Sequence, residues 1–269
     1  MLGAITGDIV GSPYEYCGEL IEADEFPLFS PYSEFTDDTV MTVAIAEALM
    51  KGGGDRKKTR SLFITEMRKF GRFYPNAGYG GMFAEWLCRE DEEGYGSFGN
   101  GSAMRVSPVA WFFDDLQTVE EFAELSASVT HDHPEGIKGA QAIAAAIFLA
   151  RTGKTKEEIR TYIEERFGYD LDHEVEEFQR MARITSSCQV TVPEAIVAFL
   201  EGENFEDVIR RAVSIGGDTD TLAAMAGSIA EAFYSIDDEI RQETMKRLSP
   251  DLRSVVEQWN AMLREKRFS

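Results

Sequence analysis

Two short segments join threonine to aspartate, Thr36-Asp37-Asp38-Thr39 and Asp218-Thr219-Asp220-Thr221. Each stands directly before a long apolar, alanine-rich run. Threonine and aspartate are preferred helix N-caps, and acids favour the positive end of a helix. Capping employs one such residue, or two, and leaves the other carboxylates without a role. Helices this apolar are expected to be buried, with their N-termini at the bottom of a cleft. Four carboxylates near one buried point repel strongly without a counter-charge. None is at hand in the sequence. Residues 1–50 hold ten acids and no Lys or Arg, and residues 212–240 hold six acids and again no Lys or Arg. A divalent cation is the simplest remedy. Oxygen ligation by Asp and Thr, without clustered Cys or His, suits Mg²⁺ or Mn²⁺. Two ions roughly 3.5–4 Å apart would match four to five carboxylates. Capping alone remains the competing reading at this level.

Other acid motifs fit less well. Asp218-x-Asp220 resembles the aspartate-nucleophile motif of phosphatases, but the preceding Val213-Ser214-Ile215-Gly216-Gly217 is too short and glycine-broken for a strand. Asp37-Asp38 resembles the aspartate-rich motif of all-helical isoprenoid synthases, but position 41 is Met.

Four further segments carry chemistry-bearing residues. Glu15 ends an apolar stretch and is placed to face the cleft, whereas Gly7 and Gly11, four apart, are read as letting a first helix pack tightly. Gly99-Asn100-Gly101-Ser102-Ala103-Met104-Arg105 is a glycine-rich turn whose backbone N–H groups could cradle phosphate. Arg105 either adds charge there or pairs with a structural carboxylate. Thr130-His131-Asp132-His133-Pro134 holds two of the three histidines. A hydrogen bond from His131 to substrate is favoured over transition-metal ligation by His131 and His133. The stretch from Tyr74 to Phe83 is aromatic and glycine-rich, either a substrate wall or a helix connection.

The elements that must position these residues are helical. Alternating β-branched runs are absent. Residues 40–50, 139–151 and 222–234 read as buried helices. Amphipathic helices are expected at 57–71, 118–128, 155–167, 173–184 (with His173 on its surface), 193–201, 205–213, 237–247 and 250–266, the last with Pro250 at its first position. The fold class is all-α, a compact single domain over 1–269 of about a dozen helices. Acidic and aromatic loops at 21–35 and 89–101 are expected on the functional face. The net charge of −21 and pI of about 4.5 argue against nucleic-acid and anionic-membrane binding. No stretch approaches the ~18 apolar residues of a membrane span. The N-terminus lacks the basic region of a secretory signal. Cys17, Cys88 and Cys188 are odd in number and far apart, so they are expected to be inert core residues in a reducing cytoplasm.

Taken in order, GDIVGSPYE, FTDDTVMT, GNGSAMR, THDHPEG and GGDTDTLAAM resemble the ADP-ribosylglycohydrolase family, from residue 3 to about 226. The resemblance implies a binuclear Mg²⁺ or Mn²⁺ site. Thr36, Asp37 and Asp38 match one ligand set, and Asp218, Asp220 and Thr221 the other. Thr39 and Thr219 are left as capping or packing residues. Glu15 falls where the family places an acid that approaches the metals, so Glu15 and Asp37 become the candidates for proton transfer. Gly99, Asn100, Gly101, Ser102, Ala103 and Met104 match the loop that holds the ADP-ribose diphosphate and distal ribose, and His131 the histidine of the substrate cleft. The implied activity is hydrolysis of the glycosidic bond between ADP-ribose and an acceptor. Partners would be an ADP-ribosylated protein or an ADP-ribose-containing small molecule, with nucleic acid entering only as a modified end. The alternatives are a non-catalytic ADP-ribose-binding module and a hydrolase of a related ribosyl or nucleotide metabolite. The chain is short for the family, so the 21–35 loop and the choice of acceptor are expected to differ.

Overall fold

Gly3, Gly7 and Gly11 leave one side of the first helix, α1 (Leu2–Gly11), without side chains, and a helix α12 (Thr219–Phe233) fills that side. A Cβ at Gly7 would lie 2.0 Å from the Ala223 carbonyl oxygen, and one at Gly11 2.4 Å from that of Thr219. Only glycine permits this approach. Thr219 Oγ1 closes it with a 2.9 Å hydrogen bond to Gly11 O. All ten residues of α1 are buried, as are residues 219–230 of α12. The packing reading of the early glycines is therefore what the fold uses.

The computed structural model describes residues 1–17, 21–181 and 184–268. Between α1 and α12 run α2 (Asp37–Gly52), α3 (Arg56–Phe73), α4 (Gly81–Cys88), α5 (Ser107–Phe112), α6 (Leu116–Ser128), α7 (Pro134–Arg151), α8 (Lys156–Phe167), α9 (Val175–Met181), α10 (Cys188–Glu201) and α11 (Phe205–Ser214). α13 (Asp238–Arg247) and α14 (Pro250–Phe268) complete the chain. The fold is all-α, with no strand among the described residues. The apolar helices α1, α2, α7, α10 and α12 form the inner layer, and their buried side chains join one contiguous core. Outside it, amphipathic helices turn one stripe inward: Phe63, Met67 and Phe70 on α3, Ile159 and Ile163 on α8, Leu252, Val256 and Trp259 on α14. Each such side chain contributes roughly 1.5–3 kcal/mol of burial. No described helix is long and apolar enough to cross a membrane.

Several expectations shift. α10 starts at Cys188, five residues before Pro193, because Phe98 O accepts the Cys188 N–H and anchors the first turn. α4 and α5 are short helices that the sequence periodicity did not resolve. α9 begins after His173, which hydrogen-bonds Glu177 from the preceding loop. Residues 182–183, at the end of the helix expected over 173–184, lie outside the described residues. Cys188 is buried, but Cys17 and Cys88 are exposed. Cys17 sits in the loop after α1, and Cys88 ends α4, whose apolar side is spent on Phe83, Trp86 and Leu87.

Candidate active site

The cores of α2 and α12 hold their N-termini at the floor of one cleft of about 400 Å³. Gly216 and Gly217 enter α12 through two successive positive φ angles, 80° and 75°, a turn that glycine adopts without strain. This turn delivers Asp218, Asp220 and Thr221 to the floor, opposite Asp37 and Asp38. Glu15 and Tyr16 reach the rim from the 3₁₀ turn after α1, with Tyr16 N–H bonded to Gly217 O at 2.9 Å.

Thr36 caps α2 by a long 3.4 Å bond from Asp38 N–H. Asp218 at the head of α12 makes no side-chain cap. Its Oδ2 instead accepts the Asn100 amide at 2.9 Å. Capping thus leaves Asp37, Asp38 and Asp218 unexplained, while Asp220 Oδ1 accepts the first-turn Thr221 N–H at 2.8 Å.

One residue missing from the sequence-level site lies directly beneath the floor. Asp8 stands fully buried in the middle of α1. Its Oδ1 accepts Thr36 Oγ1 at 2.7 Å, and its Oδ2 accepts the Thr36 and Thr39 N–H groups at 2.9 and 3.0 Å. Oxygens of Asp8, Asp38 and Asp220 lie within 4.8 Å of one another, as do oxygens of Glu15, Asp218 and Asp220. Asp220 belongs to both sets. Thr221 Oγ1 donates to Asp38 Oδ2 at 3.0 Å. Thr36 Oγ1 is 3.3 Å from Asp220 Oδ2. The signal for Asp8 was a lone acid inside an otherwise apolar helix.

No Lys or Arg forms an ion pair with these acids among the described residues, and burial raises the proton affinity of Asp8, Glu15, Asp37, Asp38 and Asp220. Burial pushes Asp8 up to about 6, against the hydrogen bonds from Thr36 and Thr39. Burial and then the Asp8 and Asp218 charges push Asp37 up to about 8. Asp38 and Asp220 rise well above the carboxylate range by burial, then Asp38 by the Asp220 and Asp8 charges and Asp220 by those of Asp218 and Asp8. Glu15 is raised by partial burial of its carboxyl, then by Asp218 and Asp8. Asp38 Oδ1 is buried without any hydrogen-bond partner. An all-oxygen donor set with an orphaned carboxylate oxygen fits a hard divalent cation.

The walls come from three loops. Gly99, Asn100, Gly101 and Met104 line the cleft, while the Ser102 and Ala103 side chains turn into the core, Ser102 Oγ donating to Gly136 O at 2.7 Å. Asn100 N–H to Ser186 O, at 2.7 Å, pins this turn to the residues before α10. Gly78, Gly80, Gly81, Met82 and Phe83 form the facing wall, so the aromatic segment both connects α3 to α4 and lines the cleft. Tyr95 and Ser97 of the 89–101 loop and Ser186 also line it, and sequence reasoning had not singled them out. The 21–35 loop does not. Arg210 bonds its Ala23 and Phe26 carbonyls, and no described residue of that loop borders the cleft. Arg105 does reach the cleft but pairs with no carboxylate; it donates to Ser126 O and Thr130 Oγ1. His131 is buried in the wall. His133 caps α7, its Nδ1 accepting Glu135 N–H at 3.1 Å, and so the two histidines do not act as a pair.

The comparisons with known proteins assign this helical fold with its acid-floored cleft to a family of hydrolases. The ADP-ribosylglycohydrolase family model matches residues 1–268, and the chain belongs to that family. It is 28% identical to the human ADP-ribosylhydrolase ARH3, over 88% of this chain and 85% of that protein. It is 32% identical to an uncharacterized protein of Archaeoglobus fulgidus, over 86% of this chain and 85% of that protein. It is 27% identical to the ADP-ribosylarginine hydrolase Tri1 of Pseudomonas putida, over 88% and 70% of the two chains. A solved structure titled ADP-ribosylglycohydrolase-related protein complex shares the fold, with a TM-score of 0.62, 22% identity and 97% of each chain covered.

Proposed function

We propose that the chain is a divalent-cation-dependent hydrolase that cleaves the glycosidic bond joining ADP-ribose to an acceptor. The observation that carries this reading is the convergence of Asp38, Asp218 and Asp220 with Glu15 on one cleft floor, over the buried Asp8, where Asp38 Oδ1 has no partner. Membership of the family and the names of its relatives supply the substrate class. Thr36, Asp37, Asp38, Asp218, Asp220 and Thr221 are the residues that would hold two Mg²⁺ or Mn²⁺ ions. Such ions, when bound, supply Lewis acidity toward water and sugar hydroxyls.

The chain's own residues then do the rest. Asp8 orients Thr36 and the first turn of α2, since its oxygens already accept three donors. Asn100 orients Asp218. Gly99, Gly101 and Met104 leave room along one wall for the diphosphate and distal ribose. Water adds to C1 of the ribose while the bond from C1 to the acceptor nitrogen or oxygen breaks. A carboxylate, Glu15 or Asp37, takes the proton from that water and returns it to the departing acceptor. Raised proton affinity suits both groups to carrying a proton.

The test is release of ADP-ribose from a modified protein by the wild type and by the Asp37→Asn, Asp38→Asn double variant. Loss of release in the variant is expected; full release from it would sink the assignment. Assaying arginine-, serine-, nucleic-acid-end- and metabolite-linked ADP-ribose with each metal identifies the acceptor. Tight ADP-ribose binding without turnover on any of them, metals present, would replace the proposal by the binding-module reading.

A further inference from the structure

The wall histidine is wired to a buried cation through one hydroxyl. Arg105 is fully buried, and its NH2 donates to Thr130 Oγ1 at 2.6 Å. Thr130 Oγ1 lies 2.8 Å from His131 Nδ1. The hydroxyl has one proton to give. A guanidinium only donates, so that proton cannot go to Arg105. Two other groups are in reach: Ala127 O is 3.4 Å away and already accepts the Thr130 and His131 N–H groups at 3.0 and 2.7 Å, and the Tyr95 hydroxyl, which also bonds the Thr130 side chain, carries a proton of its own to donate there. The proton therefore points to Nδ1, which must be bare to receive it. In a neutral imidazole the remaining proton is then on Nε2. Nε2 faces the glycine turn: a Cβ built on Gly101 would lie 3.0 Å from it and one on Gly99 3.6 Å. The missing side chain at Gly101 leaves open the space that an acceptor oxygen would take. Burial and the Arg105 charge both hold His131 well below the usual imidazole range, so the ring stays neutral.

From this geometry we infer that Arg105 and Thr130 are positioning residues that lock His131 as an Nε2–H donor aimed at a substrate oxygen seated above Gly101. The inference rests on the substrate class proposed above only for the identity of that oxygen. It excludes His131 as general base and as metal ligand, because its one bare nitrogen is turned away from the cleft and occupied. It also gives Arg105 a purpose other than phosphate contact or ion pairing.

The decisive measurement is nitrogen NMR of the imidazole ring in the substrate-free protein, with His133 and His173 replaced singly for assignment. Nε2 protonated and Nδ1 bare, unchanged between about pH 6 and pH 8 where free imidazole titrates, is expected. A protonated Nδ1, or titration in that range, overturns the proposal, and does so whether or not the protein turns over any substrate. Thr130→Val, which keeps the shape and removes the hydroxyl, is expected to mix the tautomers. It should also weaken ADP-ribose binding or kcat/KM by about 10- to 100-fold, the worth of a hydrogen bond to a charged group. Thr130→Ser is expected to restore both the single tautomer and the affinity. A Thr130→Val protein with the wild-type tautomer and affinity, or a Thr130→Ser protein that rescues neither, refutes the relay.

Discussion

Raising the pH of the ion-free protein perturbs the acid cluster most directly. Asp8 and Asp37 have folded-state proton affinities near 6 and 8 against an ordinary 3.8. A carboxyl raised on folding binds its proton more tightly in the native state. Its stabilising effect is complete below the unfolded value and fades as pH climbs through the folded one. Each such proton contributes about 1.4 kcal/mol per pH unit while the two states differ. Between about pH 5 and about pH 8, Asp8 loses one unit of this and Asp37 three, together about 5 kcal/mol. Asp37 borders the open cleft, where solvent screens its charge, and halving the sum leaves about 2–3 kcal/mol. For a chain of this size that is a fall in Tm of about 5 °C or more. Mg²⁺ or Mn²⁺ should reverse the fall at the alkaline end, by about 2.7 kcal/mol at a hundredfold excess over Kd, and do much less at the acid end, where protons compete. The assay is thermal unfolding in chelator and in added cation across that pH range. Asp38→Asn, which removes one charge from the cluster, is expected to raise the ion-free Tm at alkaline pH, flatten the slope and abolish the response to cation. A flat ion-free Tm, or a cation response of equal size at both ends, would refute the reasoning.

Two further outcomes follow from the same floor. Asp8→Ala leaves Thr36 and Thr39 without their acceptor, so cation affinity measured by calorimetry is expected to fall about 10- to 100-fold, as for other residues that orient ligands. Gly7→Ala puts a Cβ at 2.0 Å from the Ala223 carbonyl oxygen, a backbone atom that cannot turn aside. Separating α1 from α12 is expected to lose about 3 kcal/mol of stability in denaturant unfolding and to weaken the cation response, and an unfolding midpoint equal to wild type would contradict the packing account.

Much of this protein was legible in the chain itself. Alanine-rich runs with almost no polar surface can only be buried helices, which made the fold class and the three central helices readable. Pro134, Pro250 and the threonine–aspartate pairs marked helix starts because those residues suit a first turn. The early glycines declared close packing, since little else explains such spacing in an apolar helix. What local spacing cannot carry is which ends meet. Asp8 joins the cluster only because α1 lies along α12 and directs one mid-helix carboxylate toward α2. Arg105 enters an acid-floored cleft from a distant turn, so the basic-free windows around the two tetrads, true as sequence, do not describe the whole cleft. Ser102 and Ala103 share a segment with Gly99 and Asn100 but face the core, because a 3₁₀ turn sends successive side chains in different directions. His131 and His133, two apart, part company once one caps a helix and the other accepts a hydroxyl proton. Sequence determined the kinds of groups this protein holds and the helices that carry them. Tertiary packing alone decided which of those groups share a dielectric, a proton and a cleft, because electrostatic and hydrogen-bond energies depend on distance through space and not along the chain.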